Sequence, residues 1–126
     1  KPFTIDCVSH LGTHKLSELV VGDTAQIICP RNCRRDKFIH HTKERVLWGS
    51  GAYSPDSMIC LAALHGTGKD GGLFGLAVTA GQAQYVGSEQ NGVLRLSEDD
   101  AHSKSFTVEA LEDGDEEIPE VGMIID

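Results

Sequence analysis

Three groups of residues combine types and spacings that chemistry could use. The first is the four cysteines, Cys7, Cys29, Cys33 and Cys60. An even number of cysteines in a small chain rich in turns points to two disulfides and an oxidising compartment, with three pairings open. The rival is a zinc site, but the Cys29-x3-Cys33 spacing has no second pair to match it, because Cys7 and Cys60 stand alone. Cys60 also sits among apolar residues, where an unpaired thiol would be inert. The second group is a run of cations, Arg31, Arg34, Arg35, Lys37, Lys43 and Arg45, with His40 and His41 between them and only Asp36 and Glu44 against them. Such a patch can hold the phosphate, sulfate or carboxylate groups of an anionic lipid, a glycan or an acidic protein; its bland reading is a solvated loop neutralised from elsewhere in the fold. Nucleic acid is a poor match, because the chain has a pI near 5.1 and the patch offers only Phe38 and Trp48 for stacking.

The third group is Ser57, His65 and the glycine-rich stretch Gly66 to Gly72. A histidine at the end of an apolar helix could act as a base, a metal ligand or a cation on the helix dipole. With no nucleophile signature beside it, the expected role is a hydrogen bond that locks the helix end to a neighbouring loop. There is no Gly-x-Ser-x-Gly elbow around Ser57. The glycine stretch fails as a phosphate loop, which follows a strand and opens a helix with Gly-Lys-Ser/Thr; this one follows a helix and reads Gly68-Lys69-Asp70. The expectation is no enzyme activity and no cofactor.

These groups need elements to position them. Tyr53 to Gly66 reads as one central helix with no solvent face, since Met58 to Leu64 are all apolar or small. Ser54 suits its N-cap, Pro55 the first helical position and Asp56 the positive end of the dipole. Tyr53 and Met58 stand at hydrophobic-staple positions, and Gly66 suits a left-handed stop. Strands are expected at Phe3 to Val8, Thr24 to Cys29, Arg45 to Trp48, Leu73 to Thr79, Gln84 to Gly87, Val93 to Leu96 and Lys104 to Leu111. Leu16 to Val21 fits either a helical turn or a strand. Gly12, Gly22-Asp23, Gly49-Ser50-Gly51 and Asn91-Gly92 mark turns, and Cys29 to Cys33 breaks the strand pattern. The class this predicts is α+β, short strands around one buried helix.

With 126 residues, 40% of them hydrophobic, the chain matches one modest domain. Its net charge of −8 is unevenly placed: residues 1–108 hold 11 acids and 11 bases, and all the excess lies in Glu109 to Asp126. Crowding of Glu112, Asp113, Asp115, Glu116 and Glu117 predicts a solvated tail or linker over 111–126 after a domain over 1–110, with Val121 to Ile125 able to dock as a strand. No apolar run approaches a membrane span and no signal-peptide pattern opens the chain, while a start at Lys1 rather than Met predicts a piece of a longer protein.

The run Val46-Leu47-Trp48-Gly49-Ser50, Tyr53, Ser57, Ile59-Cys60, Ala62-Ala63 and His65-Gly66, with Cys29-Pro30-x-x-Cys33 upstream, resembles the LCCL domain. The pattern continues through Gly71-Gly72, Tyr85, Ser88, Asn91-Gly92-Val93 and Ser105 to Val108, covering roughly residues 5 to 110. The resemblance implies a central helix wrapped by β-sheet, with disulfides paired first to second and third to fourth, here Cys7 with Cys29 and Cys33 with Cys60. It makes Trp48, Tyr53, His65 and Gly66 scaffold positions. It also implies a non-catalytic module of secreted or surface multidomain proteins, linked to defence, adhesion and lipopolysaccharide or lipid binding. The partner would be a protein or an anionic lipid or glycan, met through 31–45; the alternative is a structural or assembly domain. Thr67 to Asp70 departs from the pattern, being more polar and glycine-rich.

Overall fold

β-Branched and apolar residues at Thr24–Cys29 (β2) and Gly72–Ala80 (β5) make two adjacent antiparallel strands, with Ile27 opposite Phe74 and Ala25 opposite Leu76. The computed structural model, which describes residues 2–33, 48–87, 89–90, 93–94, 101–114 and 118–119, extends this pair into a six-stranded sheet. Its order is β1-β2-β5-β8-β4-β3, where β1 is Phe3–Thr4, β3 Gly49–Ser50, β4 Ala52–Tyr53 and β8 Lys104–Ala110. Only β1 runs parallel to its neighbour. Strand alternation then decides the faces. Ile27, Phe74, Leu76, Val78 and Phe106 point to one side and are all buried there, each contributing about 1.5–3 kcal/mol.

Against that face lies α1 (Ile59–Thr67), whose residues from Ile59 to His65 are all buried. A hairpin of β6 (Glu89–Gln90) and β7 (Val93–Leu94) also lies against α1, which leaves the helix enclosed. The helix begins later than its capping signals predict. Tyr53 belongs to β4, and Ser54 and Ser57 are buried with their hydroxyls 3.3 Å apart, in the service of Trp48 rather than a helix end. The Ser57 hydroxyl accepts the Trp48 N–H at 2.9 Å and donates to its carbonyl at 3.3 Å, and the Ser54 N–H donates to the same carbonyl at 3.1 Å. Met58 is the N-cap without a side-chain bond, and the Ile59 N–H donates instead to the Ser9 carbonyl at 2.9 Å. The stop is likewise two residues later: Gly66 stays helical, and Gly68 takes the left-handed conformation, φ 80°, donating its N–H to Leu64.

Elsewhere the expected elements are trimmed. The first strand is only Phe3–Thr4, His14–Glu18 forms a 3-10 turn with Leu16 buried, and Gly49–Ser50 pairs with Ala52–Tyr53 across Gly51 instead of closing a strand. Within Gln84 to Gly87, Tyr85 alone makes a bridge. No helix among the described residues is long and apolar enough to cross a membrane.

One correction concerns connectivity. The disulfides join Cys7 to Cys33 and Cys29 to Cys60, with Cα–Cα distances of 5.4 and 5.6 Å, not Cys7 to Cys29 and Cys33 to Cys60. Strand geometry is the reason. Cys29 shares the inward face of β2 with Ile27 and meets the first turn of α1, where Cys60 sits. Since Thr4 is level with Ile28 in the parallel β1–β2 pair, Cys7 lies past the end of β2, beside Cys33. Where the tail expected over 111–126 begins, the Leu111 N–H donates to the Leu73 carbonyl at 3.0 Å, and Asp113 is held by three donors.

Candidate functional site

Of the cationic stretch, Arg34, Arg35, Lys37, His40, His41, Lys43 and Arg45 lie outside the described residues, as does Val121 to Ile125 in the tail. Arg31 and the anchor of the stretch are described. Asn32 takes a left-handed conformation, φ 66°, which turns the chain between Cys29 and Cys33. Cys33 is then tied down twice, by its disulfide to Cys7 and by its N–H, which donates to the Asp70 carboxylate at 3.2 Å. The stretch therefore departs from a rigid point.

Arg31 meets the acidic segment at this point. Its guanidinium Nη2 lies 3.0 Å from Asp113 Oδ2, while Lys69 Nζ and the Leu73 N–H reach Asp113 Oδ1 at 2.7 and 2.9 Å. The Lys69 hydrogen bond and then the Leu73 N–H hold the Asp113 carboxyl at about 2; burial opposes them, and the Arg31 hydrogen bond adds a smaller lowering. Lys69 also donates to the Leu111 carbonyl at 2.7 Å and lies 5.3 Å from the centre of the Phe74 ring. Two glycines make room for this. Gly71 and Gly72 have φ of 96° and 116°; a Cβ on the first would come within 2.6 Å of Arg31 Cα, and one on the second within 2.7 Å of Asp113 Oδ1. The polar loop that departs from the expected pattern thus supplies Lys69 and Asp70 to the anchor. Lys69 and Asp113 escape a reading of the sequence because neither has a motif; the signal available was a lone cation within a glycine cluster.

The scaffold positions assemble around α1. Tyr53 Oη lies 2.7 Å from His65 Nδ1, and both residues are buried. His65 does lock the helix by a hydrogen bond, but to β4 rather than to a loop. Gly66 leaves room for that contact, since a Cβ there would lie 3.0 Å from the Tyr53 hydroxyl oxygen. Trp48 holds the Ser54–Ser57 loop through its backbone. With all four cysteines in disulfides, no thiolate is left for a zinc site.

On the sheet face turned away from α1 runs an open groove of about 890 Å³, floored by Gly75 and Ala77 and edged by Gln26, Thr107, Glu109 and Leu111. Glu109 is the charged residue of its lining and bends over Gly75, so the groove suits no anion. The carboxylate held by described cations, that of Asp113, is at the Arg31 end of the molecule.

Two disulfides, one enclosed helix and a basic stretch anchored by cysteine define a small stapled α+β module. Residues 5–106 match the family model of the LCCL domain, and the chain belongs to that family. It is also 34% identical over 80 residues to Vitrin of Mus musculus, a match covering 62% of this chain and 11% of that protein. The chain thus spans about a ninth of that relative's length. The basic stretch lies inside the family match and Asp113 outside it.

Proposed function

We propose that the chain is a non-catalytic recognition module of an extracellular multidomain protein, binding an anionic surface through residues 31–45. The observation that carries the reading is the charge contrast. Six cations against two acids are gathered between Arg31 and Arg45 in a body that is otherwise not basic, and the described end of the stretch already grips a carboxylate. Two disulfides and membership of the LCCL family support an oxidising, extracellular setting. The Tyr53–His65 pair is buried between β4 and α1, out of reach of a substrate, which supports a packing role.

The test is a titration against heparin in one arm and phosphatidylserine vesicles in the other, at rising salt. Affinity should fall by about tenfold or more between low and near-physiological salt, and Arg34→Glu with Arg35→Glu should abolish it. Binding indifferent to salt, or retained by the double variant, sinks this reading. One observation favours the alternative of an assembly domain: Val20, Val21 and Val86 are large exposed apolar residues, 61, 50 and 71% accessible. The Lys104 Nζ bond to the Leu19 carbonyl and the Tyr85 bond to Ser105 bring their segments to one edge of the molecule. A dimer dissociated by Val20→Asp with Val86→Asp in sedimentation would favour that reading.

A further inference from the structure

We propose that Arg31, Lys69 and the Leu73 amide form a binding site for an acidic peptide segment, filled here by the chain's own Leu111, Asp113 and Pro119. This goes beyond the reading above and shares only Arg31 with it. The site recognises both halves of a peptide. Its side-chain half is the three donors on Asp113, at 2.7, 2.9 and 3.0 Å. Its main-chain half consists of the Lys69 bond to the Leu111 carbonyl at 2.7 Å, the Leu111–Leu73 bond at 3.0 Å, and the Arg31 N–H donating to the Pro119 carbonyl at 2.8 Å. Backbone pairing supplies affinity in such sites and the side-chain pocket supplies selection. The pocket selects a carboxylate, because three donors and, among the described residues, no acceptor side chain converge on it.

The donors come from separate elements: the turn after β2, the loop after α1 and the start of β5. Gly71 and Gly72 allow them to meet, in conformations other residues rarely adopt. A tethered segment competes at an effective concentration in the millimolar range, so an acidic segment of a partner enters when the tail is displaced. The tail carries further acids, Glu112, Asp115, Glu116, Glu117 and Glu120, which makes it a mimic of such a partner. Displacement frees Arg31 for the basic stretch at the same moment.

The probe is a fluorescent peptide of residues 109–122, added to the full chain and to Asp113→Lys, whose reversed charge is repelled by Arg31 and Lys69. Amide exchange at Leu73 reports whether the tail has left. Asp113→Asn is the second variant, keeping the shape and removing the charge. Exchange at Leu73 should accelerate in both variants, and each should bind the peptide at least about tenfold more tightly than the parent, which its own tail blocks. The gain should vanish with Lys69→Ala, or with a peptide carrying Asn in place of Asp113. Unchanged Leu73 exchange in both variants would overturn the proposal, as would a freed Leu73 amide without a gain in peptide binding. The heparin and vesicle titrations read Arg34 and Arg35, and this assay reads Lys69 and Leu73, so each proposal fails on its own evidence.

Discussion

Tyr53 and His65 show how a single contact can organise a core. The hydroxyl–imidazole bond of 2.7 Å joins β4 to α1 in a fully buried setting, and the tyrosine ring stacks 5.5 Å from Phe106. Tyr53→Phe keeps the ring and removes the bond, and should cost about 1–3 kcal/mol in a denaturant melt. Gly66→Ala is the informative partner. Alanine in a helix interior normally gains up to about 1 kcal/mol over glycine, but here its Cβ would press on the Tyr53 hydroxyl at 3.0 Å, so the single variant should destabilise. In the Tyr53→Phe background that oxygen is gone and the same substitution should become neutral or stabilising; additive effects would disprove the steric link. The place of His65 at the end of an apolar run suggests a hydrogen-bonding role, but its partner in β4 has no signal in the sequence. The role of Gly66 has none either, because it depends on a strand that folds back over the helix.

Among the elements, legibility follows local pattern strength. The β2 run Thr24–Cys29 and the cores of β5 and β8 are visible as branched or apolar runs, and the helix as an apolar block. Ser54, Pro55 and Asp56 carry the capping signature without starting the helix, because the Ser54 hydroxyl pairs with that of Ser57, which in turn bonds the Trp48 backbone. The disulfide pairing is set by the β1–β2 register, which no spacing reveals. In the C-terminal segment, three donors hold Asp113, which charge composition alone does not reveal. Its attachment makes a pH prediction. Asp113 titrates at about 2 in place and near 3.9 when free, so the carboxylate stabilises the docked segment fully above pH 4 or so. That contribution declines as pH falls below the free value and is gone below the docked one. An NMR titration should therefore place the Asp113 carboxyl inflection near 2, with the Leu73 amide shift following it, and about 1 M salt should move both upward. An inflection at the ordinary value would show the segment undocked in solution.

At the scale of the molecule, stability rests on the two disulfides as much as on the core. The bridges close loops with sequence separations of 26 and 31, each worth roughly 3.5 kcal/mol in the chain-entropy account. A domain of this size is stable by only about 5–15 kcal/mol in total, so the pair is of the same order as the whole. The loops overlap only over residues 29–33, so tying one barely shortens the other and their effects should be close to additive in the same account. The bridges also differ in place, since Cys29–Cys60 fastens the sheet to the buried helix whereas Cys7–Cys33 fastens the start of the basic stretch to the N-terminal segment. Cys7→Ser with Cys33→Ser should accordingly leave a folded protein with its melting temperature lowered by roughly 10–20 °C. Cys29→Ser with Cys60→Ser, which puts hydroxyls into the core as well, should lose the cooperative melt, and full reduction with alkylation should abolish near-UV dichroism. A reduced, alkylated chain that still melted cooperatively would show that the core suffices without an oxidising compartment, and the extracellular reading would lose its physical basis.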